Sequence, residues 1–115
     1  MEHLSRDEYV ARLRTRACEC ARSLLRGNGA AIATARELTG ILHELNDPSL
    51  EETHRVFIGV DSETMHLPLG SVRELWAQGA LAACDKELAE AESCHAIAIA
   101  NACRELLDAL GAAER

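Results

Sequence analysis

The sequence predicts an all-α protein. It reads as a single helical domain over residues 1–115, a compact antiparallel helical bundle with one long C-terminal helix and a non-helical central loop. Three observations carry this. Apolar residues recur at helical spacing along most of the chain, failing only between residues 58 and 70. The hydrophobic share of 48% leans on alanine, while aromatics are 3%; alanine has the best helix propensity and lets helix axes approach closely. Capping and breaking residues stand where the periodic stretches begin and end.

The first helix is expected to begin at Ser5, because Ser5 and Glu8 have the spacing of a capping box. Tyr9, Val10, Leu13, Ala17, Cys20, Ala21 and Leu24 then share a face, with Cys18 turned away from it. Gly27-Asn28-Gly29 supplies residues that tolerate a left-handed cap. A second helix is expected from about Ala30 to Leu45, with Ala31, Ala35, Leu38, Leu42 and Leu45 as its stripe and Asn46-Asp47-Pro48 as its stop. Ser49 and Glu52 repeat the capping-box spacing, so a short helix over residues 50–57 turns Leu50, Thr53 and Phe57 inward. Pro68 biases Leu67 toward extended backbone, and Gly59 and Gly70 punctuate the loop between. One helical turn over 71–76 places Val72, Leu75 and Trp76 inward. The last helix runs from about Gly79 to Leu110, with Leu81, Cys84, Leu88, Ala91, His95, Ala98, Ala102, Leu106 and Leu110 within one arc.

Composition narrows the function. The chain of 115 residues is long enough to build a core without staples. Net charge is −7 and unevenly spread: residues 1–43 hold 7 Arg against 5 acids, whereas residues 44–115 hold 5 Lys and Arg against 14 acids. Such an acidic half repels nucleic acid and anionic membranes and favours a basic protein partner. No run approaches the ~20 apolar residues of a membrane span, and the charged N-terminus has no apolar signal core. Five cysteines, without C-x-x-C spacing, read as free thiols of a reducing, cytoplasmic compartment, with Cys20 and Cys84 buried and Cys18 the quickest to react.

Chemistry-bearing side chains concentrate at residues 57–76, which also hold the single Phe and the single Trp. Asp61, Glu63 and His66 offer oxygen and nitrogen ligands within six residues, which would suit a metal or small ligand if a loop brought them together. D-x-E-x-x-H is short, however, and Asp61, Ser62 and Thr64 are ordinary turn and cap formers. The structural reading is therefore preferred. Ser62, His66 and Asp61 are the residue types of a hydrolase triad, but no nucleophile elbow accompanies them. Arg73 is read as a clamp returning to Asp61 or Glu63. His95, in the middle of the last helix's stripe, reads as a core histidine with one satisfied nitrogen. Ala89, Ala96, Ile97, Ala100 and Leu107 form a second apolar strip that would suit a dimer or partner face. No catalytic residue, no metal and no cofactor is assigned.

The run Phe57-Ile58-Gly59-Val60-Asp61-Ser62-Glu63-Thr64-Met65-His66-Leu67-Pro68-Leu69-Gly70, followed by Val72-Arg73 and Trp76, resembles a motif of a family of small, functionally uncharacterised bacterial proteins. The resemblance spans about residues 20–110 and implies a bacterial, cytoplasmic origin without implying an activity. The expectation is a non-enzymatic protein-binding module, most concretely an immunity-type inhibitor of a basic toxin. Glu87, Glu90, Glu51 and Glu52 lead its acidic surface. The alternative is a metal or small-ligand binder using Asp61, Glu63, His66 and Arg73.

Overall fold

Ser5 starts the first helix as its spacing requires: its Oγ accepts a hydrogen bond from the Glu8 backbone N–H at 3.1 Å, and helix α1 follows over Arg6–Leu25. The computed structural model describes residues 5–111. Gly27 and Gly29 both adopt positive φ, so the chain reverses within a few residues. Helix α2 spans Ala31–Leu45 and buries the whole expected stripe, together with Ile32, Thr34 and Ile41. Asn46 ends it in the left-handed region at φ 48°.

A 3₁₀ turn over Pro48–Leu50 leads into helix α3, Glu51–Thr64. Here the local signals mislead twice. Ser49 does not cap α3. Asp47 caps the 3₁₀ turn instead, its Oδ1 accepting from the Ser49 backbone N–H at 2.9 Å and the Ser49 hydroxyl at 2.8 Å. These bonds hold the Asp47 carboxyl below its ordinary range. The second correction is length. The helix does not stop at residue 57 but continues through Gly59 and the polar run to Thr64, leaving 65–69 as the non-helical loop. Thr53, Phe57, Val60 and Thr64 recur every three or four residues and are all buried. That continuous buried edge outweighs the ~1 kcal/mol cost of glycine in a helix.

A second 3₁₀ helix, Gly70–Leu75, crosses to helix α4, Gln78–Gly111, which at 34 residues is roughly 50 Å long. The described residues form no strand. Side-chain contacts give the helix directions. Tyr9 meets Glu44 and Cys20 meets Glu37, so α1 and α2 are antiparallel. Arg36 meets Asp61 and Thr39 meets His54, so α3 reverses again. Glu63 meets His95 while His66 meets Glu87, so α4 runs opposite to α3. The result is an up-down-up-down bundle.

Its core is Leu13, Ala17, Cys18 and Ala21 of α1, the stripe of α2, Phe57 and Val60 of α3, and Ile99, Ala102, Cys103, Leu106 and Leu110 of α4. The α4 stripe is therefore buried only in its second half; Leu81, Cys84, Leu88 and Ala91 are half-buried and Ala98 is exposed. Val72, Leu75 and Trp76, expected inside, are exposed, because the 3₁₀ helix swings past the end of the bundle.

The cysteines need the same adjustment. No disulfide joins any of the five, but Cys18 is fully buried, whereas Cys20 and Cys84 are only half-buried. Helix α1 packs against both α2 and α4, which widens its buried arc beyond a single stripe to include Cys18. Burial, with the nearby Glu37 carboxylate, pushes the Cys20 thiol up to about 12, and burial pushes Cys103 up to about 11. Exposed Cys94 should therefore label fastest with a maleimide, and Cys18 and Cys103 slowest, since the thiolate is the reactive form. Peptide mass mapping after a short pulse checks the order; Cys18 labelling ahead of Cys94 would contradict this interior.

Candidate functional site

The segment from Asp61 to Trp76 is held by three helices. Arg36, the one arginine of α2, reaches across to the end of α3. Its Nε donates to Asp61 Oδ1 at 3.2 Å, one terminal nitrogen to the Thr64 carbonyl at 2.6 Å and the other to the Leu67 carbonyl at 3.2 Å. Helix α3 ends without a left-handed cap, since Met65 stays in the right-handed region. The Thr64 carbonyl also accepts from the Leu67 N–H at 2.9 Å, so the guanidinium adds a second donor at the helix C-terminus, where a positive charge suits the helix dipole. Leu67 is buried beneath it. Gly70 then takes φ +66°, a conformation that favours glycine and lets the chain turn outward into the 3₁₀ helix.

Helix α4 supplies the remaining partners. His95 Nε2 lies 2.9 Å from Glu63 Oε2, and His66 pairs with Glu87. Arg73 does not return to Asp61 or Glu63. It forms a bidentate pair with Asp85 at 2.7 and 2.9 Å and donates to the Pro68 carbonyl at 3.4 Å. These hydrogen bonds lower the Asp85 carboxyl below its ordinary range and raise Arg73. The reason for the correction is distance along the fold: Asp61 is already bound to Arg36 inside α3, whereas Arg73 lies beyond Gly70, against the first turns of α4. His95 is in turn a partly exposed partner of Glu63 rather than an enclosed core residue.

Asp61, Glu63 and His66 thus do not converge. Asp61 and Glu63 point ~200° apart on α3, and each of the three has a different partner. Among the described residues no group of three or more His, Cys, Asp and Glu could hold a metal ion. Two surface grooves, of about 420 and 300 Å³, lie elsewhere. One runs between α1 and the start of α2 around Cys20 and Glu37, the other near His43, Asp47 and His54. Neither is lined by Asp61, Glu63 or His66.

The four acids expected on a partner face fall into two pairs. Glu51 and Glu52 occupy the first turn of α3, where Glu51 pairs with Arg55 at 2.8 Å. Glu87 lies beside His66, past the opposite end of α3, about 20 Å away along the helix. Glu90 is exposed one turn further along α4. Beside His66 and along the 3₁₀ helix apolar side chains are exposed as well: Met65 is 70% and Leu75 84% exposed, and Val72 and Trp76 are exposed too.

Sequence reasoning did not assign the partners of three residues that hold the bundle together: Arg36, Asp85, which meets Arg73, and Glu92. Glu92 reaches from α4 to the start of α2, its Oε2 accepting from the Ala31 N–H at 2.8 Å and its Oε1 from the Ile32 N–H at 2.9 Å. The available signal was negative: Ala30 precedes α2 and has no side chain able to cap it.

No helix of the described residues is long and apolar enough to cross a membrane. No family model, curated protein or solved structure matches the chain.

Proposed function

We propose that the protein is a non-enzymatic protein-binding module whose acidic surface docks onto a basic protein partner. The most concrete form is an immunity-type inhibitor that covers a basic bacterial toxin. One observation carries the reading: the chemistry-bearing side chains of the 61–73 segment are engaged in holding α3 to α2 and α4, while the surface around them exposes carboxylates and apolar groups together. Glu74 and Glu90 carry no ion pair among the described residues. Such groups are available to a partner at no cost to the fold, whereas a ligand site built from Asp61, Glu63 and His66 would first have to break three pairs.

The test uses the partner captured with the full chain from the native host and identified by mass spectrometry. Association should be steeply salt-sensitive, since exposed charges are screened beyond ~10 Å at 0.1 M salt. Glu90→Lys, which breaks no pair among the described residues, should lower the association rate by about tenfold at low salt and leave dissociation nearly unchanged. Glu51 and Glu52 reversals report whether the second acidic pair contributes. Silent reversals, together with an ion or small molecule whose binding is abolished by His66→Ala, would replace this reading with the ligand-site alternative.

A further inference from the structure

The first half of α4 carries a helix-packing seam that this chain covers only in part. Leu81, Cys84, Leu88 and Ala91 recur at alternating spacings of three and four, the a and d positions of a heptad. Leu88 and Ala91 touch the edge of the core, but Leu81 and Cys84 stand outside it, half-buried. The cause is length. Helix α4 has 34 residues against 20, 15 and 14 for α1, α2 and α3. Helix α2 begins level with Glu92, α3 ends near His95, and the loop after it reaches Glu87. The turns before Glu87 therefore project past the bundle, accompanied among the described residues by the crossover. In that crossover Val72 and Leu75 are three residues apart in a 3₁₀ helix, so they align on one edge, next to Trp76.

Charge says what covers this seam. The e and g positions that flank the projecting part of the seam, and set partner choice in paired helices, are Asp85 and Glu87. Asp85 and Glu87 remain about half exposed, at 49% and 53%, after pairing with Arg73 and His66, and a carboxylate has room for further donors. Glu74, in the 3₁₀ helix, adds negative charge that carries no ion pair among the described residues. A second copy of this chain would set these acids against themselves. We infer that the projecting end of α4 and the adjoining 3₁₀ helix dock a basic amphipathic helix of the partner, which continues the bundle along Leu81–Ala91. This rests on the protein-binding reading above and specifies its surface and the form of its partner.

The test needs no native partner. The full chain is titrated with two synthetic tryptophan-free peptides of about three heptads, both with Leu at a and d, one with Lys and the other with Glu at e and g. Trp76 is the only tryptophan, so its emission reports occupancy directly. The Lys peptide should bind with a blue shift of Trp76 emission, and the Glu peptide should not. Leu75→Asp and Leu81→Asp should each weaken binding by about tenfold or more, with the far-ultraviolet helical signal retained. Leu75 is so exposed that its replacement leaves the core untouched. Ile97→Asp, ~180° from Leu88 on the same helix, should bind like the parent. Failure of the Lys peptide to bind overturns the inference. So does binding that survives both Leu75→Asp and Leu81→Asp: the acidic surface would then attract bases without the seam, and the broader reading would stand. Self-association in sedimentation experiments that Leu81→Asp abolishes would assign the seam to a second copy instead.

Discussion

Replacing Arg36 with alanine should destabilise the domain by about 2 to 3 kcal/mol. The residue sits between the limits for ion pairs. Its side chain is 30% exposed, so it is worth less than a fully buried pair, whose disruption costs about 3 to 5 kcal/mol. It makes three directional bonds rather than one, so it exceeds an exposed pair, worth at most about 1 kcal/mol. Its removal leaves the Leu67 carbonyl and the Asp61 carboxylate without this donor, and leaves the Thr64 carbonyl with the Leu67 N–H alone. Urea unfolding with an unchanged m-value measures the loss as a shift in midpoint. Arg36→Lys should recover less than half of it, because one ammonium cannot serve three acceptors that a planar guanidinium spans. Asp61→Ala should cost less than Arg36→Ala, since both carbonyl bonds survive. A loss under about 0.5 kcal/mol for Arg36→Ala would mean that the crossover is held by Leu67 burial alone.

Glu92→Ala should cost about 1 to 2 kcal/mol, the range for losing a helix N-cap with favourable charge at the positive end of the dipole. Glu92 satisfies the first two N–H groups of α2 from another helix, so its loss exposes a defect that no local residue repairs. The rescue makes the mechanism specific. Ala30 already has the extended backbone of an N-cap, at φ −84° and ψ 140°. Ala30→Ser in the Glu92→Ala background should restore most of the stability by supplying a local cap. Ala30→Ser in the parent should add less than in the Glu92→Ala background, because Glu92 already satisfies two of the first-turn donors. If the double variant were no more stable than Glu92→Ala, the carboxylate would be acting by something other than capping.

Much of the site was named in the sequence without its partners. Asp61, Glu63, His66 and Arg73 stand in one short run, rich in polar groups and broken by proline and glycine, and that run does form the crossover. Which groups they meet was not legible: Arg36 is 25 residues from Asp61, and His66 and Glu87 are 21 apart. Metal convergence failed for a local reason that was readable only once α3 was known to continue to Thr64. On a helix, positions 61 and 63 point away from each other.

Helix existence, order and most boundaries follow from the chain alone, because they depend on groups within about four residues: the Ser5 hydroxyl and the Glu8 N–H, the glycines after α1, the left-handed Asn46. Tertiary structure decided the rest. Helix α2 begins without a local cap and takes one from Glu92, 61 residues from Ala31. Helix α3 ends without one and takes Arg36. It also keeps its helical course through Gly59 because Val60 and Thr64 meet a core that other helices supply. The exposure of Val72, Leu75 and Trp76 was decided the same way. Apolar side chains at helical spacing are buried only where another helix is long enough to lie against them, and here α1, α2 and α3 end before α4 does.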